Sequence, residues 1–235
     1  MATLDELKQF REQYLKKVDE LFELLDQENL LIKNSRVVEH SFIQIFNKLY
    51  AMQDSLDRKK QIFEDDEKFQ KFLEKNSEYG ITKENFMFDF RVSSVHYLLS
   101  LQEMISRFLV EILDIERLEI NKDRAMLGTT IKKIAEYRDS QRKPVFLEEG
   151  LRTVFSVKMR NTLGHDKWWF DNDNKFCTVD GDIFTEEEFY GEIVSSSILL
   201  MSISTSYLTR KFPESLQQVK RQIESSSLYI EPQDS

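Results

Sequence analysis

The sequence predicts an all-α fold, a helical bundle of long antiparallel helices with a small β-hairpin inserted before the penultimate helix. Apolar residues recur at three- and four-residue steps over most of the 235 residues, the spacing of one helical face. Glycine (6) and proline (3) are scarce, and both break helices. One short stretch departs from the pattern. Lys167–Val179 carries aromatic and β-branched runs around Asn172-Asp173-Asn174, which is a hairpin signature.

Each element follows from its own spacing. Residues 4–26 place Leu4, Leu7, Tyr14, Val18, Leu21 and Leu25 on one face. A second helix is expected from Leu30 to Lys60, carrying Val38, Phe42, Ile45, Leu49, Met52 and Leu56. The short polar link Gln27–Asn29 predicts that these two helices form an antiparallel hairpin. Asp65–Ser77 reads as a peripheral helix with a thin apolar side of Phe69, Phe72 and Leu73. Gly80 ends it and Thr82 caps the next. That third long helix is expected over Lys83–Ile120, with Phe88, Val95, Leu98, Ile105, Leu109 and Ile112 facing inward. Further helices follow at Asp123–Arg138 and, beyond Pro144, at Phe146–Leu163. Thr185 and Glu188 make a capping box that opens a helix to about Arg210, with Phe189, Ile193, Leu200, Ile203 and Tyr207 inward. Residues 1–225 read as a single helical domain, and 226–235 as a frayed tail.

Composition narrows the function classes. The single cysteine, Cys177, permits no intrachain disulfide and reads as a small core residue. The charged N-terminus does not read as a signal peptide, and no run approaches the roughly 18 apolar residues of a membrane span. The expectation is a cytoplasmic protein without membrane contact. A net charge of −9 argues against general nucleic-acid binding, which rests on neutralised phosphates. Contact with nucleic acid therefore has to be local or assembled from more than one chain. No Cys/His cluster has zinc spacing, and no glycine-rich phosphate loop or serine-nucleophile signature occurs. Asp171–Asn174 hints at a calcium loop, but Lys175 takes the fifth position and Phe176 stands where glycine is required. No metal or cofactor is expected.

Chemistry concentrates in one segment. Of three histidines, His40 and His96 fall within helices, while His165 follows Gly164 at a probable helix end. His40 reads as a surface pair with Glu39, and His96 as a buried or interface residue. Arg160 and Asn161 precede His165, and Trp168 and Trp169 follow it. Histidine titrates near neutral pH and suits proton transfer. Arginine holds a fixed planar charge that suits a phosphoryl transition state. Asn161 is placed to orient either. Spacing alone does not discriminate, because Arg91 and His96 share it. Asn161 directly after the arginine, Gly164 at the helix end and the aromatic hairpin afterwards make the segment distinctive.

Phe155–Phe170 (FSVKMRNTLGHDKWWF) resembles the ribonuclease motif of the HEPN superfamily, in which an arginine precedes a histidine late in a helical bundle. The resemblance implies a metal-independent endoribonuclease acting on cellular RNA in a toxin or antiviral-defence setting. In that setting Arg160, Asn161 and His165 are catalytic. Lys158, Lys167 and Trp168 are the expected substrate contacts. It also implies a homodimer in which two motifs meet in one cleft, with an antitoxin or defence protein as a possible partner. The alternative is a non-catalytic HEPN-like helical dimer that binds a nucleotide or a protein. The position two residues after His165 holds Lys167 rather than the tyrosine that some family members use as a modification target.

Overall fold

The computed structural model describes residues 4–35, 43–122, 127–140, 163, 168–170, 176–178, 181 and 183–214. The fold is all-α. Among the described residues the helices are α1 (Leu4–Gln27), α2 (Ile43–Glu64), α3 (Asp66–Lys75), α4 (Lys83–Ile112), α5 (Leu127–Ser140) and α6 (Glu186–Lys211), and all but α3 contribute to one apolar core. Three short strands, β1 (Trp168–Phe170), β2 (Phe176–Thr178) and β3 (Ile183–Phe184), precede α6. They form an antiparallel sheet in the order β1-β2-β3. The third strand extends the expected hairpin by one pairing.

α4 is the central element. Val95, Leu98, Leu101, Ile105, Phe108, Leu109 and Ile112 are all buried, and the helix packs against α2, α5 and α6. Burial on several sides explains its nearly continuous apolar sequence. Phe88, expected on the buried stripe, is instead 61% exposed, while Phe86 and Phe90 face inward. α6 buries all five residues expected of it, from Phe189 to Tyr207. Its capping box is present, with the Thr185 hydroxyl accepting from Glu188 N–H and the Glu188 carboxylate accepting from Thr185 N–H.

The expected α1–α2 hairpin does not form. α1 packs chiefly against α6, burying Val18, Leu21, Phe22 and Leu25, whereas α2 packs against α3 and α4. The chain after α1 explains the difference. Asn29 takes a left-handed backbone (φ 54°), and Leu31 then pairs with Leu113 in an isolated antiparallel bridge. Ile32 N–H donates to the Ile112 carbonyl (2.9 Å), and Asp114 N–H donates to the Leu30 carbonyl (2.8 Å). Residues 30–34 are therefore extended rather than helical, and α4 stops at Ile112 instead of reaching Ile120. The Tyr207 hydroxyl fixes this segment to α6, donating to the Ile32 carbonyl (3.0 Å) and accepting from Asn34 N–H (3.1 Å).

The peripheral α3 is as expected. Asp65 caps it through Lys68 N–H. Phe69 stacks against Phe72 and meets Phe63 and Phe86 edge-on. Gly80 is left-handed (φ 59°) just after the short turn Ser77–Tyr79, and the Thr82 hydroxyl caps α4 through Asn85 N–H. The expected helix over Phe146–Leu163 and the chain after Glu214 lie outside the described residues, Leu163 excepted.

Candidate functional site

Lys158, Arg160, Asn161, His165 and Lys167 lie outside the described residues, as does His40. The structure defines the two points that bracket the motif in sequence. Leu163, between Asn161 and His165, is helical, fully buried and part of the main core. Trp168, three residues after His165, begins β1 and packs against the same core. Both points are held by apolar burial, the strongest local constraint available to a short connection.

β1 alternates its side chains across the sheet. Trp168 and Phe170 share one face, meet edge-to-face at 5.6 Å and pack inward. Trp169 points the other way and is 48% exposed. It stands opposite Cys177 on β2, whose thiol is buried. Trp168, expected to contact substrate, is therefore a half-buried packing residue. The indole presented to solvent, and able to stack on a base, is that of Trp169.

The second Arg/His pair lies on α4. His96 is exposed on α4 rather than buried. Arg91 lies on α4 with its guanidinium over the Phe170 ring, 5.0 Å from the ring centre. Its Nε is buried without a hydrogen-bond partner. The sequence signal at Arg91 was its spacing to His96, yet the feature that distinguishes it is contact with β1. Spacing along α4 carries no information on that contact.

A surface cleft of about 440 Å³ lies between α2, α3 and α4. Ile62, Phe72, Ile81 and Phe86 supply apolar walls, and Asp54, Arg58, Lys59 and Asp89 supply charge. Those charges are mutually paired. Arg58 meets Asp54 (2.6 Å), and Lys59 meets Asp89 (2.6 Å) and the Ser93 hydroxyl (2.8 Å). Such a rim offers a ligand little uncompensated charge, because each group already has a counter-ion. Among the described residues, no group of three or more His, Cys, Asp or Glu is placed to hold a metal ion. No described helix is long and apolar enough to cross a membrane.

Comparison with known proteins finds no matching family model, curated protein or solved structure.

Proposed function

We propose that this chain is a metal-independent endoribonuclease of the HEPN type, acting on cellular RNA as a toxin or defence effector. The observation that carries the reading is the segment Arg160-Asn161-Thr162-Leu163-Gly164-His165, followed directly by the aromatic strand β1. The all-α fold and the buried anchor at Leu163 support it.

The chemistry assigns a role to each residue. His165 takes the proton from a ribose 2′-hydroxyl as the 2′-oxygen attacks phosphorus. The phosphorus–O5′ bond breaks, and the proton is returned to the departing 5′-oxygen. A 2′,3′-cyclic phosphate and a 5′-hydroxyl result. Arg160 stabilises the added negative charge on the phosphoryl oxygens, and Asn161 orients the imidazole or a phosphate oxygen. Lys158 and Lys167 draw in the backbone. On an unbroken helix, five residues turn through about 500°, which points Arg160 and His165 about 140° apart. Local unwinding at Gly164 or a homodimer that brings two motifs together resolves this, and the homodimer also doubles the local positive charge in a chain of net charge −9. An antitoxin or other defence protein is the partner expected to restrain such an enzyme.

The test is incubation of purified protein with RNA in EDTA, beside Arg160→Ala and His165→Ala variants. Cleavage by the wild type alone, leaving cyclic phosphate ends, is the expected result. Equal cutting by all three, or none by the wild type, refutes the reading.

A further inference from the structure

The geometry points to Arg91 as a phosphate-binding residue that holds the RNA backbone beside the motif, an inference that rests on the ribonuclease reading above. Among the arginines whose side chains are described, its lack of a hydrogen-bonded or ionic partner among the described residues sets it apart. Arg58 pairs with Asp54, Arg107 with Glu103, and Arg210 with Asp19. Arg117 donates to the Glu28 and Asn29 carbonyls and to the Tyr137 hydroxyl. Arg91 has no hydrogen bond or ion pair to any described residue, although acidic residues outnumber basic ones by 42 to 33. An arginine half-buried in an acid-rich chain ordinarily finds a carboxylate.

What Arg91 does have is an aromatic platform. The Phe170 ring lies 5.0 Å below the guanidinium and is itself held edge-to-face by Trp168. A cation–π contact of this kind holds the guanidinium against the ring without using its N–H donors. A planar fork held in this way is pre-organised for two oxygens of one phosphate. Phe170 follows His165 by five residues, a chain contour of at most about 18 Å. A phosphodiester two or three nucleotides from the cut bond spans such a distance. Asp89, the nearest acid along the helix, is held by Lys59 and does not compete.

The experiment measures binding of a fluorescein-labelled, fully 2′-O-methylated 20-nucleotide single strand, which cannot be cut by 2′-hydroxyl attack. Anisotropy titrations of the full chain at several salt concentrations compare wild type, Arg91→Gln and Arg91→Lys. Expected for Arg91→Gln is an affinity loss on the order of tenfold, with the salt slope reduced by about 0.7, one single-strand phosphate contact. Arg91→Lys should keep the slope and lose part of the affinity, since it retains the charge without the fork. Melting temperatures should stay within about 2 °C of wild type, because Arg91 is paired with no carboxylate among the described residues. Binding by Arg91→Gln within twofold of wild type overturns the inference while leaving the nuclease reading intact, provided the wild type cuts RNA. An unchanged RNA affinity with an altered sedimentation coefficient assigns the fork to a protein carboxylate and also overturns it. A large melting loss in Arg91→Gln shows a structural role instead. If the wild type neither binds nor cuts RNA, both readings fall together.

Discussion

Tyr207→Phe is expected to destabilise the protein by about 2 kcal/mol. The ring sits fully buried between Phe108, edge-on at 5.7 Å, and Phe212 at 5.9 Å, and phenylalanine preserves these contacts. Only the hydroxyl is lost, and with it the bonds to the Ile32 carbonyl and Asn34 N–H. Each such bond contributes roughly 0.5–1.5 kcal/mol, and a partner left dry costs more. Ile32 is partly open to water, so its carbonyl recovers some solvation; this keeps the sum near 2 rather than 4. At about 2–4 °C per kcal/mol for a chain of this size, the melting temperature should fall by about 4–8 °C. Hydrogen exchange should localise the damage. The amides of Ile32 and Asp114, which close the bridge between residues 30–34 and the end of α4, should lose protection before those in the middle of α4. Burial also pushes the Tyr207 hydroxyl above its ordinary pKa of 10.0. The folded state then binds the phenolic proton more tightly than the unfolded state does. That contribution is complete below about pH 10 and is lost as pH rises through the folded value. Tyr207→Phe should therefore show a shallower alkaline loss of stability than wild type, with Tyr97, also raised by burial, accounting for part of what remains. Urea unfolding within 0.5 kcal/mol of wild type at an unchanged m-value would refute this account of how residues 30–34 are held.

Other perturbations probe different links. Gly80→Ala places a side chain at φ 59° in otherwise open space, so it should cost about 1 kcal/mol from backbone strain alone, read as a melting shift of about 2–4 °C. Hydrogen bonding from the Arg210 guanidinium, helped by the Ser206 hydroxyl, holds the Asp19 carboxyl below its ordinary 3.8. Its contribution is present above that value and is lost as pH falls through the folded pKa. Asp19 is about half exposed, so Asp19→Asn should cost no more than about 1 kcal/mol at pH 7 and should flatten the acid limb of the stability curve below pH 4. Leu163→Ala removes a fully buried side chain from the core and should cost about 2–5 kcal/mol. On the ribonuclease proposal, RNA cleavage by this variant should fall even at temperatures where circular dichroism shows it folded, because the anchor at Leu163 is lost.

The extent to which the sequence revealed the fold follows from the range of the forces involved. Elements set by local chemistry are readable: the Thr185–Glu188 capping box, the Thr82 cap and the left-handed Gly80 all depend on residues within one turn. The apolar stripe of α6 is readable too, since one face is buried along its whole length. Contacts set by distant chain are not. Nothing in the run after Leu30 signals that Leu31 will pair with Leu113, so the helix expected from Leu30 is extended over residues 30–34 in the fold. The partner of α1 was misassigned for the same reason, because a short link suggests a hairpin only when nothing intervenes.

The candidate site divides along the same line. Arg160, Asn161 and His165 are legible as a motif because they lie close together in sequence, and they fall outside the described residues. The Trp168/Trp169 alternation was legible, but which ring faces solvent depends on the face the core covers, and it is Trp169. Arg91 stands out in the sequence only by its spacing to His96, whereas its position over Phe170 depends on β1 folding back onto α4. A guanidinium stacked there with its Nε buried and unpartnered carries an energetic cost that the fold gains nothing from offsetting by itself. A bound oxyanion would take hydrogen bonds from the terminal N–H groups while the ring contact holds the guanidinium in place. The ring contact uses none of the N–H donors and no described carboxylate pairs with them, so on the phosphate-binding proposal replacing Arg91 should weaken RNA binding while leaving the melting temperature nearly unchanged.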